Sequence, residues 1–283
     1  MTYLKKNAEG AILPGGQSNG EAGHLLTPGY LNQLDFVRAI ASLWVAVYHL
    51  SGKKYFIGTY GYLGVPMFFV LSGFVICWSL PPGYGPKQLG TFLAKRLVRI
   101  EPPYVVSIAL VLILNSLTAL LTGSSYQIDG KNVLLHLAYL NNFTGYPYLN
   151  PVYWTLGIEF QFYLFIGLIF PFFTANKYRA CLVLIAFGLT SLWEANFHPV
   201  YRTVFGFSTL FSLGMAGYLF KTARITRFEL LAFAVFHLAL CYLTQGWLIA
   251  LTGLVTLFLI LKFNYRHRLI RFFARISFSL YLV

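Results

Sequence analysis

A series of long apolar segments limits what this chain can fold into more than any other feature. A helix that crosses a bilayer needs roughly 20 mostly apolar residues. On that rule, eight candidate spans fall near 34–50, 61–80, 102–122, 152–173, 180–196, 203–220, 228–244 and 246–263. A ninth begins near 272 and has too few residues to cross, so we expect a C-terminal truncation within a span. The sequence predicts an all-α, polytopic integral membrane helical bundle with eight full spans and a truncated ninth or tenth.

The two regions without long apolar runs are predicted to lie outside the bilayer. Residues 1–30 are rich in Gly, Asn, Gln and Ser and lack the apolar core of a secretory signal peptide. We expect a flexible cytoplasmic tail there, followed by one membrane domain over residues 31–283. Residues 131–150 are too polar to cross, which predicts an outer loop with a short surface helix.

Charge is used sparingly, and its distribution indicates topology. Charged residues make up only 10% of the chain, yet the net charge is +13, which could indicate nucleic-acid binding. The basic residues fall in short loops between apolar runs, so membrane topology explains them better and we expect no nucleic-acid partner. With the N-terminus in the cytoplasm, most of them lie in cytoplasmic loops, as expected for a multi-pass protein of a bacterial inner membrane. The cysteines, Cys77, Cys181 and Cys241, show no metal-ligand spacing, so we expect neither a metal site nor a disulfide framework.

The first span carries ionisable groups that are expensive in hydrocarbon. Eleven residues bring a helix back to nearly the same face, so Arg38 and His49 align about 16 Å apart along the axis, with Asp35 near the same stripe. Histidine is suited to proton transfer near neutral pH. The alternative is an interfacial His49 and an Arg38 whose charged end reaches the membrane surface.

The second span places a Ser72-Gly73 pair in its middle. Small residues let neighbouring helices approach closely, so we favour a packing role over a catalytic one.

Arg96 and Arg99 follow at the edge of the third predicted span. They are three residues apart and share a face if the segment is helical. Two guanidinium groups held there would suit phosphate groups. The alternative is ordinary positive-inside anchoring.

The fourth span begins at Trp154 and places a carboxylate inside the membrane. Thr155, Glu159 and Tyr163 recur every four residues and share a helix face. A buried Glu159 needs a partner or must be neutral. Because we place His49 at a similar depth, a Glu159–His49 pair is one hypothesis, and a structural contact of Glu159 with an Arg or a Tyr is the other.

Together these stretches resemble the signature of acyltransferase family 3, the polytopic bacterial membrane acyltransferases that O-acylate sugars. Five elements carry the resemblance in order: Arg38 with His49, Ser72-Gly73-Phe74, Arg96 and Arg99 followed by Pro and Tyr104, Trp154 to Tyr163 with Thr155 in place of a serine, and the closing run Ile276 to Leu282.

The resemblance implies an inner-membrane O-acyltransferase. The donor would be cytoplasmic acyl-CoA, most often acetyl-CoA, used as a substrate with no bound cofactor, and the acceptor a hydroxyl of a surface or exported glycan. His49 would be the general base or an acyl carrier and Glu159 its support. Arg96 and Arg99 would hold the phosphates of coenzyme A, and Arg38 would line the donor path. A transporter or flippase for a sugar-lipid or anionic substrate is the alternative, although we find none of the internal repeats common in transporters.

Overall fold

A computed structural model describes residues 31–51, 56–197, 202–265 and 267–282, and the predicted tail over 1–30 lies outside them. The described residues form α-helices joined by short 3-10 turns and loops. The α-helices are α1 Asn32–Leu50, α2 Phe56–Thr59, α3 Gly64–Ser79, α4 Leu89–Thr122, α5 Gly130–Leu137, α6 Trp154–Phe173, α7 Lys177–Phe197, α8 Ser208–Lys221, α9 Arg227–Gln245, α10 Trp247–Lys262 and α11 Arg268–Tyr281.

The helical membrane bundle is confirmed, but the count of eight spans is not. Among the described residues, six helical segments are long and apolar enough to cross a membrane: Gly61–Ser79, Pro86–Thr122, Trp154–Phe173, Lys177–Asn196, Val204–Lys221 and Arg227–Gln245. The helix α10 is apolar but shorter. The first predicted span, α1, is 19 residues long but places Asp35 and Arg38 in its first two turns, and it is not among the six.

The helix α4 corrects the predicted boundary of the third span. We expected a loop up to residue 101 and a span starting at Pro102, but one helix runs from Leu89 to Thr122 with both Pro102 and Pro103 inside it. Proline removes a backbone donor and usually ends a helix, so the sequence rule favoured a break. Here Ile100, two residues before the prolines, and Tyr104, directly after them, are both buried against the bundle, and this packing holds the two halves in one helix.

The helices α3 and α8 approach so closely that their backbones touch. A Cβ atom on Gly73 would overlap the carbonyl oxygen of Phe211, and one on Gly214 would overlap that of Val70. Glycine is therefore required on both sides of this crossing. The crossing fixes the height of α3 in the bundle and with it the position of Ser72.

The last helix, α11, packs against α1. Its buried residues, Ala274, Ser277 and Tyr281, recur at spacings of three and four and form one stripe. The rest of the helix is exposed or partly exposed, including Leu269 and Phe272. The helix begins at Arg268, four residues before the predicted start. The short helix expected within 131–150 is confirmed as α5.

Candidate active site

A pocket inside the bundle gathers most of the ionisable residues that the sequence singled out. We call it the arginine pocket; its cavity volume is about 100 Å³. The helices α1, α3, α4, α6 and α11 line it. Its polar lining residues are Arg38, Ser72, Arg96, Arg99, Thr155, Glu159, Tyr163, Ser277 and Tyr281. The remaining lining residues are mostly aliphatic and aromatic, so charges placed here are poorly screened by water.

Glu159 is the carboxylate of this pocket, and two hydroxyl groups hold it. Ser72 Oγ donates a hydrogen bond of 3.3 Å to Glu159 Oε1, and Tyr163 OH donates a second to the same oxygen. Tyr163 lies one turn further along α6, as the four-residue spacing predicted. Of the alternatives raised from the sequence, the geometry places a tyrosine, and not His49, against Glu159.

Arg38 lies on the α1 side of the pocket and interacts electrostatically with acidic groups. Its charge interacts favourably with those of Asp35 and Glu159 and unfavourably with that of Arg99. Asp35 is buried, one turn before Arg38 on the same helix. The carboxylates of Asp35 on α1 and Glu159 on α6 therefore partly balance the charge of Arg38, which lowers the free-energy cost of keeping that charge inside the bundle.

Arg96 and Arg99 lie on α4, so the condition that they share a helix face is met. Arg96 donates a hydrogen bond to Ser79 Oγ, and its guanidinium carbon lies 5.4 Å from the centre of the Phe92 ring and 6.0 Å from that of Tyr163. Contacts of this kind fix the orientation of a guanidinium group. Arg99 is exposed at the mouth of the pocket.

The charges of the pocket do not cancel. Its lining contains three arginines and one carboxylate, that of Glu159. Even with Asp35 nearby, the arrangement is positive, and guanidinium groups form strong charge-assisted hydrogen bonds with phosphates and carboxylates. The pocket is therefore suited to an anionic ligand.

Sequence reasoning missed the contribution of α11. Thr155 and Tyr281 are joined by a hydrogen bond of 2.6 Å between their hydroxyl groups, and Thr155 also donates to the carbonyl of Val152 at 2.8 Å. Ser277 and Phe278 line the pocket beside Tyr281. The closing run was recognised only as part of the resemblance. The signal available was its polar spacing, Ser277 and Tyr281 four residues apart on one face.

The structure places His49 away from the arginine pocket, which corrects the expectation that it lies at the depth of Glu159. A Cβ atom on Gly61 would collide with Tyr48, so the end of α1 meets the start of the segment that leads into α3. Ser72, the partner of Glu159, lies eleven residues after Gly61, which corresponds to about 16 Å along a helix axis. His49 is therefore about that far from the depth of Glu159. His49 is exposed, and its ring lies 5.1 Å from that of Tyr48.

Trp154 also lies outside the arginine pocket and lines a second one with Arg202. The Arg202 guanidinium carbon lies 4.6 Å from the centre of the Trp154 ring. Neither Arg202 nor Asn142, another lining residue of that pocket, was singled out from the sequence. Arg202 lies in a loop and Asn142 in a three-residue 3-10 helix, and neither is long enough for helical periodicity to give a signal.

A family model described as an acyltransferase domain matches residues 31–283. The chain belongs to this acyltransferase family. It is 32% identical over 165 residues to "O-acetyltransferase OatA" of Staphylococcus aureus strain NCTC 8325, a match that covers 52% of this chain and 26% of that protein. It is 32% identical over 154 residues to "Putative O-acetyltransferase SACOL0978" of S. aureus strain COL, covering 50% of this chain and 24% of the relative.

The chain thus spans about a quarter of the length of the curated relatives it matches. No solved structure matches it.

Proposed function

We propose that this chain is a membrane O-acyltransferase that moves an acyl group, most simply acetyl, from cytoplasmic acyl-CoA to a hydroxyl of a cell-surface or exported glycan. The observation that carries the proposal is the arginine pocket, where three guanidinium groups converge on the Ser72–Glu159–Tyr163 cluster inside a helical bundle. Family membership supports the reaction class.

Arg96 and Arg99 hold the phosphates of the donor. They lie on one face of α4 at the mouth of the pocket, and the rings of Phe92 and Tyr163 orient Arg96. Arg38 lies on the far wall and interacts with Glu159, so it lines the path along which the acyl end of the donor enters. Glu159 balances the arginines and orients Ser72 and Tyr163 toward the cavity.

The transfer needs a base for the acceptor hydroxyl. The acceptor oxygen attacks the thioester carbonyl, a C–O bond forms, the C–S bond breaks, and the coenzyme A thiolate leaves. His49 takes the hydroxyl proton at the acceptor end of α1, or first carries the acyl group itself. Because His49 and the arginine pocket lie about 16 Å apart along α1, the donor binds by its phosphates at one end and presents its acyl group toward the other.

Binding of acetyl-CoA to purified protein in detergent tests the donor assignment. The double variant Arg96→Gln/Arg99→Gln should bind at least about tenfold more weakly, since a hydrogen bond to a charged group contributes about 1.5–3 kcal/mol. Arg179→Gln is the matched control, because Arg179 is exposed and stacks on Phe172 at 5.0 Å, away from the pocket. If the double variant binds acetyl-CoA with unchanged affinity, Arg96 and Arg99 do not hold the donor and serve only as positive-inside anchors.

Release of free coenzyme A separates transfer from transport. An acyltransferase cleaves the thioester when an acceptor is present, whereas a transporter or flippase moves its substrate without cleaving it. Accumulation of coenzyme A that requires acceptor glycan supports the proposal, and movement of the glycan across the bilayer with the thioester intact contradicts it.

The membrane orientation is part of the proposal and has its own test. A reporter fused after Lys131, in α5, should read outside, and one fused after Arg224, between α8 and α9, should read inside. The basic loops favour this orientation. The opposite pair of signals would place His49 in the cytoplasm and the arginine pocket toward the outside.

A further inference from the structure

A second cavity lies at the N-terminal end of α6 and has no part in the donor site. We call it the Trp154 pocket; its volume is about 380 Å³, and it is lined by Asn142, Thr144, Tyr148, Pro151, Trp154 and Arg202. Small-molecule sites commonly measure about 300–1,000 Å³ and combine an aromatic wall with a few placed polar groups. The Trp154 pocket has both features.

Its positive charge is held in place by stacking. The Arg202 guanidinium lies over the Trp154 indole at 4.6 Å. Stacking occupies the face of the guanidinium but leaves the N–H donors at its edge available for a bidentate anion. Within the described part of the chain, no carboxylate oxygen lies within ion-pair distance of Arg202. The pocket therefore presents a positioned cation with no acidic ion-pair partner among the described residues.

A buried amide joins the two halves of this stack. Asn142 Nδ2 donates to the carbonyl of Trp154 at 3.0 Å and to that of Arg202 at 2.9 Å. Asn142 is only 3% exposed, and Gly157 on α6 leaves room for its side-chain oxygen. Both backbone segments are therefore fixed by one side chain, which keeps Arg202 above the indole.

The chain after Arg202 is fixed by polar side chains from α6 and α7. The backbone N–H of Thr203 donates to Glu194 Oε1 at 2.8 Å, and that of Val204 donates to Gln161 Oε1 at 2.9 Å. Glu194 is buried. A loop tied down in this way pays little conformational entropy when a ligand binds, which is the condition for a preorganised site.

The opposite wall is equally constrained. Asn132 Nδ2 donates to the carbonyl of Pro147 at 3.0 Å, and the N–H of Leu149 donates to His136 Nε2 at 3.2 Å, so the residues on both sides of Tyr148 are held by the α5 segment. Burial raises the pKa of Tyr148, and the charge of Arg202 acts in the opposite direction, as expected for two groups that face one cavity.

The two pockets share a wall. Trp154 lines the Trp154 pocket, and its neighbour Thr155 lines the arginine pocket. Phe69 lines the arginine pocket, and its ring lies 6.2 Å from that of Trp154. The two cavities thus meet at the start of α6 and at the contact between Phe69 and Trp154.

From these contacts we infer that the Trp154 pocket is the acceptor subsite, and that Arg202 binds an acidic group, a carboxylate or a phosphate, on the acceptor glycan. The inference rests on the proposed acyl transfer and adds the chemical class of the acceptor. Tyr148 and Thr144 place hydroxyl groups in the same pocket as the cation, where they suit sugar hydroxyls, and the adjoining wall brings the sugar close to the acyl end of the donor.

Three probes test the inference on the purified full chain in detergent: a hyaluronan tetrasaccharide with carboxylates, glucose 6-phosphate, and neutral cellotetraose. We expect at least one acidic probe to bind about tenfold more tightly than cellotetraose, and the better of the two identifies the acidic group. Arg202→Gln should abolish the difference, and Arg202→Lys should keep part of it. Lys131→Gln is the matched control, since Lys131 is also a cation over an aromatic ring, that of Tyr146 at 5.0 Å, but does not line the Trp154 pocket.

Acetyl-CoA binding, measured on the same samples, reports folding and separates this inference from the proposed function. Arg202→Gln should bind acetyl-CoA like the unmodified protein. Equal binding of acidic and neutral probes, or a preference that survives Arg202→Gln, overturns the acceptor subsite while leaving donor binding intact. Tight, Arg202-dependent binding of an acidic probe with no acetyl-CoA binding would overturn the proposed transfer instead and leave the Trp154 pocket as an anion site.

Discussion

Ser72 Oγ lies 3.3 Å from Glu159 Oε1, although the two residues are 87 positions apart in the chain. Ser72 sits one residue before the glycine at which α3 meets α8, and Glu159 sits one turn and a half into α6. The tight crossing of α3 and α8 therefore fixes the height of Ser72, and with it the position at which Ser72 can donate its hydrogen bond to Glu159. At this point of the bundle, the hydrogen bond to Glu159 depends on the helix packing at Gly73.

Removing the carboxylate should affect both activity and stability. Glu159→Gln leaves the three arginines of the pocket without their balancing charge and weakens the hydrogen bonds from Ser72 and Tyr163, and a hydrogen bond to a charged group contributes about 1.5–3 kcal/mol. We expect loss of acyl transfer and earlier thermal aggregation in detergent.

Glu229→Gln is the control for that experiment. Glu229 forms an ion pair with Lys177 at the surface, where such pairs contribute about 0–1 kcal/mol, and glutamine can also serve in the helix cap that Glu229 forms with Thr226. If Glu159→Gln resembles Glu229→Gln in both measurements, Glu159 does not organise the pocket.

The α3–α8 crossing gives a stability prediction that does not depend on function. Gly73→Ala would force the helix backbones apart, because the added methyl group overlaps the carbonyl of Phe211, and overpacking of this kind typically costs about 1–3 kcal/mol. Gly90→Ala, on α4 with no atom within 4 Å of the added methyl group, should be neutral or slightly stabilising. Thermal unfolding in detergent checks both. A Gly73→Ala protein as stable as Gly90→Ala would contradict the close packing described here.

The sequence predicts the helical bundle well because span length and apolar content are local properties. It also predicts which residues share a helix face, as with Thr155, Glu159 and Tyr163. It does not predict which helices become neighbours, since a single sequence carries no information on their relative height or rotation. The contacts of Ser72 with Glu159 and of Thr155 with Tyr281, 126 positions apart, depend on those two quantities.

The same limitation explains the misplaced His49. Its alignment with Arg38 follows from helical geometry, but its depth relative to Glu159 depends on how α1 and α6 are positioned against α3. The continuity of α4 through Pro102 and Pro103 was missed for a different reason, because the penalty for proline is local whereas the packing of Ile100 and Tyr104 is tertiary.

The loop that carries α5 should lose stability in mild acid. Burial lowers the pKa of His136, whose Nδ1 bonds to the carbonyl of Asn132 and whose Nε2 accepts from the N–H of Leu149. The neighbouring rings are those of Tyr148 and Tyr153. The unfolded loop binds a proton near pH 6.5 and the folded loop only at lower pH, so stability falls as the pH drops below about 6.5.

Hydrogen exchange of residues 130–150 between pH 7.5 and 5.5 measures this effect. Exchange should be corrected for its intrinsic pH dependence, with α3, which contains no histidine, as the internal reference. His136→Gln should remove most of the pH dependence, because the titrating group is gone. Equal protection of the loop at both pH values in the unmodified protein would show that His136 does not couple protonation to loop stability.

His49 provides the most direct test of the proposed chemistry, because it can be substituted without disturbing the packing of the core. It is exposed at the end of α1, so His49→Ala should leave insertion, accumulation and acetyl-CoA binding unchanged. If His49 is the base or the acyl carrier, acylation of the glycan should fall by about 100-fold or more, the usual contribution of a positioned general base. Leu50→Ala, at a neighbouring residue that is 75% exposed, is the matched control and should acylate normally. Normal acylation by His49→Ala would remove His49 from the mechanism and leave the proton of the acceptor hydroxyl to a group inside the arginine pocket, where Glu159 is the carboxylate in position to accept it.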